Sequence, residues 1–147
     1  MESIKTDNIL EVIERNFETD SELLSTWHIS APCTAEKAAE RTAFDLKTTQ
    51  PDFAFYTLKE GNEEVGFFGT ETFKDEKFLT SFFIRPEYRS KRFVGDFWKE
   101  VRSKVGQGSY YTGIYAKNKR AEKFLHGNGE MIMDGTDTKG NDYLVFE

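Results

Sequence analysis

A chain of 147 residues is near the commonest size of a single folding unit, long enough to bury most of the surface its unfolded form exposes, so one domain over residues 1–147 is expected. Only 37% of the residues are apolar, but Phe 14, Tyr 6 and Trp 2 fill a core with few side chains. A net charge of -6 sets the surface as a whole against nucleic acid and anionic membranes, and a lone cysteine, Cys33, excludes an internal disulfide and a multi-cysteine zinc site.

No apolar run approaches the roughly 18 residues of a membrane span, and the first residues lack the apolar stretch of a secretory signal. The expectation is a cytoplasmic protein with no metal site, no nucleic-acid partner and no membrane partner. Any anion site must then be local.

In chain order, Ile9, Val12, Ile13 and Phe17 recur at helical spacing over residues 8–17, with Asp7 or Asn8 placed to cap the first turn. Residues 25–30, around Trp27 and Ile29, read as a strand that Pro32 ends. Thr34 caps an Ala-rich second helix that closes before Gln50 and Pro51. Three β-prone runs follow, FAFYTLK, EVGFFGTETF and KFLTSFFI. The short polar links EGNE and KDE suit hairpins, so these runs form an antiparallel meander. Phe53, Phe55, Phe67, Phe73, Phe82 and Phe83 alternate along it as core residues of a sheet do.

From Phe93, the residues Phe97, Trp98, Val101 and Val105 mark one face of a helix that GQG ends near Gly106. SYYTGIYA then reads as a strand, NKRAEKFLHGNG as a helix, and EMIMD with DYLVF as a last hairpin. Runs of strands combined with crossover helices make a layered α/β (α+β) domain.

The chemistry concentrates where the third strand of the meander runs directly into a helix, over residues 84–95. A helix start points unpaired N–H groups and a partial positive charge into the preceding loop, which favours phosphate. Arg85, Arg89, Lys91 and Arg92 place four cations there in an acidic chain, either as a site for a pyrophosphate or as ordinary solvated loop charges.

Ile84, Pro86, Glu87, Tyr88, Arg89, Lys91 and Phe93 resemble the acetyl-CoA motif of the GNAT superfamily of N-acetyltransferases, roughly V-x-P-x-Y-R-G-K-G-I-G. Asn118, Ala121, Phe124 and Gly129 fall in register with that family's later N-x-x-A-x-x-F-Y-x-x-x-G helix. The order of elements matches from Thr34 onward. This resemblance implies a GNAT-like mixed, mostly antiparallel central sheet flanked by helices, with fourth and fifth strands that are parallel and splay apart. It implies acetyl-CoA as cosubstrate, its pantetheine arm entering the gap, and an amine acceptor that no pattern here identifies. The backbone amide of Phe82 would polarise the thioester carbonyl. Phe83, Ile84 and Arg85 would line the arm, and Arg89 with the loop amides of Ser90, Lys91, Arg92, Phe93, Val94 and Gly95 would hold the pyrophosphate. Asn118 and Phe124 would face the arm from the later helix.

The sequence also departs from the motif. Ser90, Arg92 and Val94 stand where the family has glycines, which let a backbone approach phosphate because no Cβ intervenes. The family's frequent acid, a tyrosine, is Leu125 here, and Phe78 occupies the place of an early glutamate in the fourth strand. Acyl transfer to an amine needs a base and an acid. Tyr115, just before Asn118, is the candidate substitute carried forward, with Glu71, His28 and His126 as others; each of the four has an ordinary core or surface role as its alternative, and Cys33 has no evident histidine partner. A second resemblance, to GNAT-like phage proteins including internal virion proteins of short-tailed phages, supplies the alternative of an inactive binding or structural module in a phage-infected bacterium.

Overall fold

The computed structural model describes residues 1–22, 34–49, 53–73, 76–106, 111–115, 123, 131–136 and 142–146. In chain order the elements are β1 (Glu2–Lys5), α1 (Ile9–Phe17), α2 (Ala35–Thr49), β2 (Phe53–Glu60), β3 (Glu63–Phe73), β4 (Glu76–Ile84), a 3-10 turn (Pro86–Tyr88), α3 (Lys91–Val105), β5 (Tyr111–Tyr115), β6 (Met131–Thr136) and β7 (Asp142–Phe146). The strands form one seven-stranded sheet of order β1-β2-β3-β4-β5-β7-β6. All neighbours are antiparallel except β4 and β5, which run parallel. Among the described residues no helix is long and apolar enough to cross a membrane.

Alternation along the meander gives the sheet two apolar faces, and each is covered by helix. On one, Phe55, Phe67 and Phe83 meet Ile9, Val12, Ile13 and Phe17 of α1 and Ala35, Ala38, Ala39 and Ala43 of α2. Phe67 lies between Phe55 and Phe83, with ring centroids 5.3 and 5.8 Å away, and Phe17 sits edge-on to Phe83 at 5.5 Å. On the other face, Leu58, Val65, Phe68, Leu79 and Ile84 meet Phe97, Trp98 and Val101 of α3. Phe97 turns its edge to Phe68 at 6.1 Å and packs against Phe82 at 5.9 Å. Phe55, Phe67 and Phe83 are therefore core and Phe82 packs beside it on the other face, as their spacing implies; the side chains of Phe53 and Phe73 lie outside the described set.

Two irregularities bend the β2–β3–β4 meander. The β2–β3 register shifts after Leu58, which pairs with Gly66 while Lys59 pairs with Glu64, leaving Val65 as an extra residue. The β3–β4 register shifts where Gly69 pairs with Ser81 and Thr70 with Leu79, leaving Thr80 extra. Each is a β-bulge, which twists and re-aims the strand that carries it. Gly66 is required for a steric reason: a Cβ there would lie 2.0 Å from the carbonyl oxygen of Phe83 on the neighbouring strand. Gly61 supplies the positive φ, 63°, that turns β2 into β3.

The fold agrees with the sequence reading in class, in the meander and in the last hairpin. It adds β1, which the sequence reading left unassigned, and it starts α3 at Lys91, two residues before Phe93. The strand expected at 25–30 lies outside the described residues. So does the helix expected after β5, apart from Lys123, which is helical.

Candidate functional site

The bulge at Thr80 sits where β4 leaves β5. Among the described residues these two strands pair only at Phe78 with Tyr111 and Leu79 with Thr112. Beyond that point Gly113, Ile114 and Tyr115 pair with Val145, Leu144 and Tyr143 of β7, while Ser81, Phe82, Phe83 and Ile84 pair with β3. Among the described residues the two parallel strands thus share no ladder pair beyond Leu79 and Thr112.

The segment 84–90 joins β4 to α3. Ile84 is buried, and the Arg85 amide donates to the Val65 carbonyl at 2.8 Å. Pro86 starts the 3-10 turn, where its missing N–H costs nothing. Tyr88 packs its ring edge-on against Phe93 at 5.2 Å and donates its hydroxyl to Glu63, which raises its pKa above the ordinary phenol value.

Ser90 then takes the N-cap position of α3 in an extended conformation, without a side-chain cap bond. The first helical bond runs from the Val94 amide to the Ser90 carbonyl at 3.0 Å. The amides of Lys91, Arg92 and Phe93 precede it and carry the positive end of the helix.

Side chains around this start are disposed as follows. Ser90, Arg92 and Gly95 are exposed, and the Arg92 guanidinium lies over the Phe93 ring at 5.6 Å. Val94 is half-buried and packs against the α3-side core, so its branched side chain is turned into the protein. A Cβ on Gly95 would meet nothing within 4 Å. Phe82 is half-buried against Phe97, and Phe83 is buried under α1. Tyr115 ends β5 beside the gap; its side chain, that of Lys91, and the whole of Asn118, Phe124 and Leu125 lie outside the described set.

Arg85 and Arg89 correct the picture of four solvated loop cations. Arg85 donates from Nε to Asn16 Oδ1 at 2.8 Å and from Nη2 to Glu64 Oε2 at 3.0 Å. Arg89 donates from Nε to the Ile84 carbonyl at 2.7 Å and from Nη2 to Asp20 Oδ2 at 2.7 Å, with its guanidinium 5.3 Å over the Phe83 ring. Both carboxylates are largely buried, with side-chain exposures of 10% for Glu64 and 4% for Asp20, and a buried carboxylate without a cation costs several kcal/mol. The arginines therefore turn inward. Their acids lie far away in sequence, and nothing local announces them.

Glu64 is the centre of the larger cluster, also accepting Arg15 Nε at 2.7 Å, Arg15 Nη2 at 2.5 Å and Asn16 Nδ2 at 2.9 Å. Burial pushes its carboxyl up, but the hydrogen bond and charge of Arg15, joined by Arg85 and Asn16, outweigh burial and hold it below the usual carboxylate range. Among the described residues no group of three or more His, Cys, Asp or Glu is placed to hold a metal ion.

At the level of sequence, no protein-family model and no curated protein matches the chain. The backbone does match solved structures over nearly its full length. An acetyltransferase from Thermus thermophilus aligns with a TM-score of 0.66 at 15% identity, covering 99% of this chain and 96% of that one. A GNAT-family acetyltransferase from Bacillus cereus aligns with a TM-score of 0.56 at 16% identity, over 98% and 93%. This chain has the GNAT fold. The spermidine N-acetyltransferase from Vibrio cholerae, solved in complex with CoA and spermine, aligns at 0.58 and 12% identity over 98% and 92%. At such identities the likeness is one of GNAT architecture, including the antiparallel sheet flanked by helices.

Proposed function

We propose that the protein is an acetyl-CoA-dependent N-acetyltransferase, moving the acetyl group from the thioester to an amine of a small molecule or a protein. The observation that carries this reading is the parting of β4 from β5 at the Thr80 bulge, beside an α3 start whose first amides carry no side-chain cap. A GNAT neighbour with CoA and spermine bound supports both the cosubstrate and an amine acceptor.

In this reading the pantetheine arm enters between the strands, along the backbone of Phe83 and Ile84. Phe82 donates its amide to the thioester oxygen, where negative charge grows as the amine nitrogen attacks. The carbon–sulfur bond then breaks, the amine gives up a proton and the thiolate takes one. Tyr115, at the end of β5, is the candidate for the protonating group. The amides of Lys91, Arg92 and Phe93 at the α3 start, with the side chains of Lys91 and Arg92, hold the pyrophosphate, and Asn118 and Phe124 face the arm; the Val94 amide, which the sequence pattern also assigns to the pyrophosphate, is instead spent on the Ser90 carbonyl. The Val94 side chain does not oppose this, because it packs against the α3-side core.

One observation favours a second reading, that of an inactive binding module: Ser90, Arg92 and Val94 occupy the glycine positions of the loop and Leu125 that of the acid. Incubation with acetyl-CoA and a panel of amines, following release of free thiol, separates them. Amine-dependent release that falls on Tyr115→Phe supports the enzyme. Tight coenzyme binding with no release supports the module.

A further inference from the structure

We infer that Asp20 positions the cosubstrate loop by acting through Arg89, so that Arg89 is a clamp and not a ligand of the pyrophosphate. The inference rests on the reading above that this loop receives coenzyme A.

One guanidinium ties three parts of the chain together. Nε of Arg89 bonds the last carbonyl of β4, that of Ile84, at 2.7 Å. Nη2 reaches Asp20, just past α1, at 2.7 Å. Asp20 is itself fixed by its amide, which donates to the Phe17 carbonyl at 3.1 Å. The planar fork makes both bonds at once over the face of Phe83, a geometry that an ammonium does not reproduce. Arg85 supplies a second tie to α1 through Asn16, which is fully buried at 0% exposure. The 3-10 turn is therefore held on both sides, at Arg85 and at Arg89, and Ser90 with the α3 amides follows from that turn.

Charge points the same way. Asp20 at 4% side-chain exposure neutralises Arg89 at 24%, so the pair adds little field to the loop. Turning Arg89 out to a phosphate would strip a buried carboxylate of this cation. The attraction to a polyanion is left to the helix amides, Lys91 and Arg92.

Binding of coenzyme A is measured by calorimetry at several salt concentrations, well below the melting point so that every variant is fully folded. The proteins are the parent, Asp20→Asn and Arg89→Lys. A clamp predicts that Asp20→Asn weakens binding about tenfold, through a displaced loop, with the salt dependence unchanged. It predicts a similar loss in Arg89→Lys although the charge is kept. A phosphate ligand predicts the opposite: Asp20→Asn frees the guanidinium, tightens binding and steepens its salt dependence. That result, or parent-like binding by either variant, overturns the inference while leaving the cosubstrate reading intact. If Asp20→Asn does not fold, Arg89→Lys decides alone. A parent that binds no coenzyme A overturns the cosubstrate reading, and the clamp proposal with it.

Discussion

Glu64 and Arg92 show two different uses of charge in one site. Glu64 is buried and its folded pKa lies below the ordinary carboxylate value, so it contributes stability above the unfolded value of about 4.3 and loses it as pH falls through the folded value. Glu64→Gln should therefore cost about 2 kcal/mol near neutrality, from weakened bonds to Arg15, Arg85 and Asn16. The gap between parent and variant should close below about pH 4, as urea titrations over pH would record. Arg92 is exposed and touches only the Phe93 ring among the contacts described. Arg92→Gln should leave stability within about 0.5 kcal/mol of the parent. The same change should weaken coenzyme A binding by about three- to tenfold and flatten its salt dependence, since an exposed charge meeting phosphate is screened by salt.

Among the elements, those with strong internal periodicity were legible and those defined by distant partners were not. The helix over Ile9–Phe17, the three meander strands and the α3 face of Phe97, Trp98 and Val101 follow from residue spacing alone. β1 escapes because ESIK is a short, mostly exposed edge strand with no alternation to read. The bulges at Val65 and Thr80 leave no mark in sequence, since which residue is extra depends on the partner strand. The acetyl-CoA-like motif gave the position of the candidate loop, but not that Arg85 and Arg89 answer Glu64 and Asp20 across the fold. Two glycines sharpen the contrast between elements. Gly66→Ala should destabilise by about 2 kcal/mol or more, because a Cβ 2.0 Å from the Phe83 oxygen forces β3 and β4 apart. Gly95→Ala, in a helix with open space around it, should stabilise by about 0.5–1 kcal/mol. Thermal melts of the two variants check both signs.

For the whole molecule, an acidic chain of net charge -6 binds a polyanion only where its own backbone and a few cations overcome that field. In the proposed reading that place is the α3 start, which follows the strand that parts from β5. Fold alone does not decide activity, so the cosubstrate is the point on which the account turns. The most direct measurement is the melting temperature with and without acetyl-CoA, checked by calorimetric titration. A ligand bound only by the native state, present at about a hundred times its dissociation constant, stabilises by about 2.7 kcal/mol. For a domain of this size that raises the melting temperature by about 5–10 °C, and added salt should reduce the shift. No shift at millimolar acetyl-CoA and no heat of binding, from protein that is folded, would contradict it.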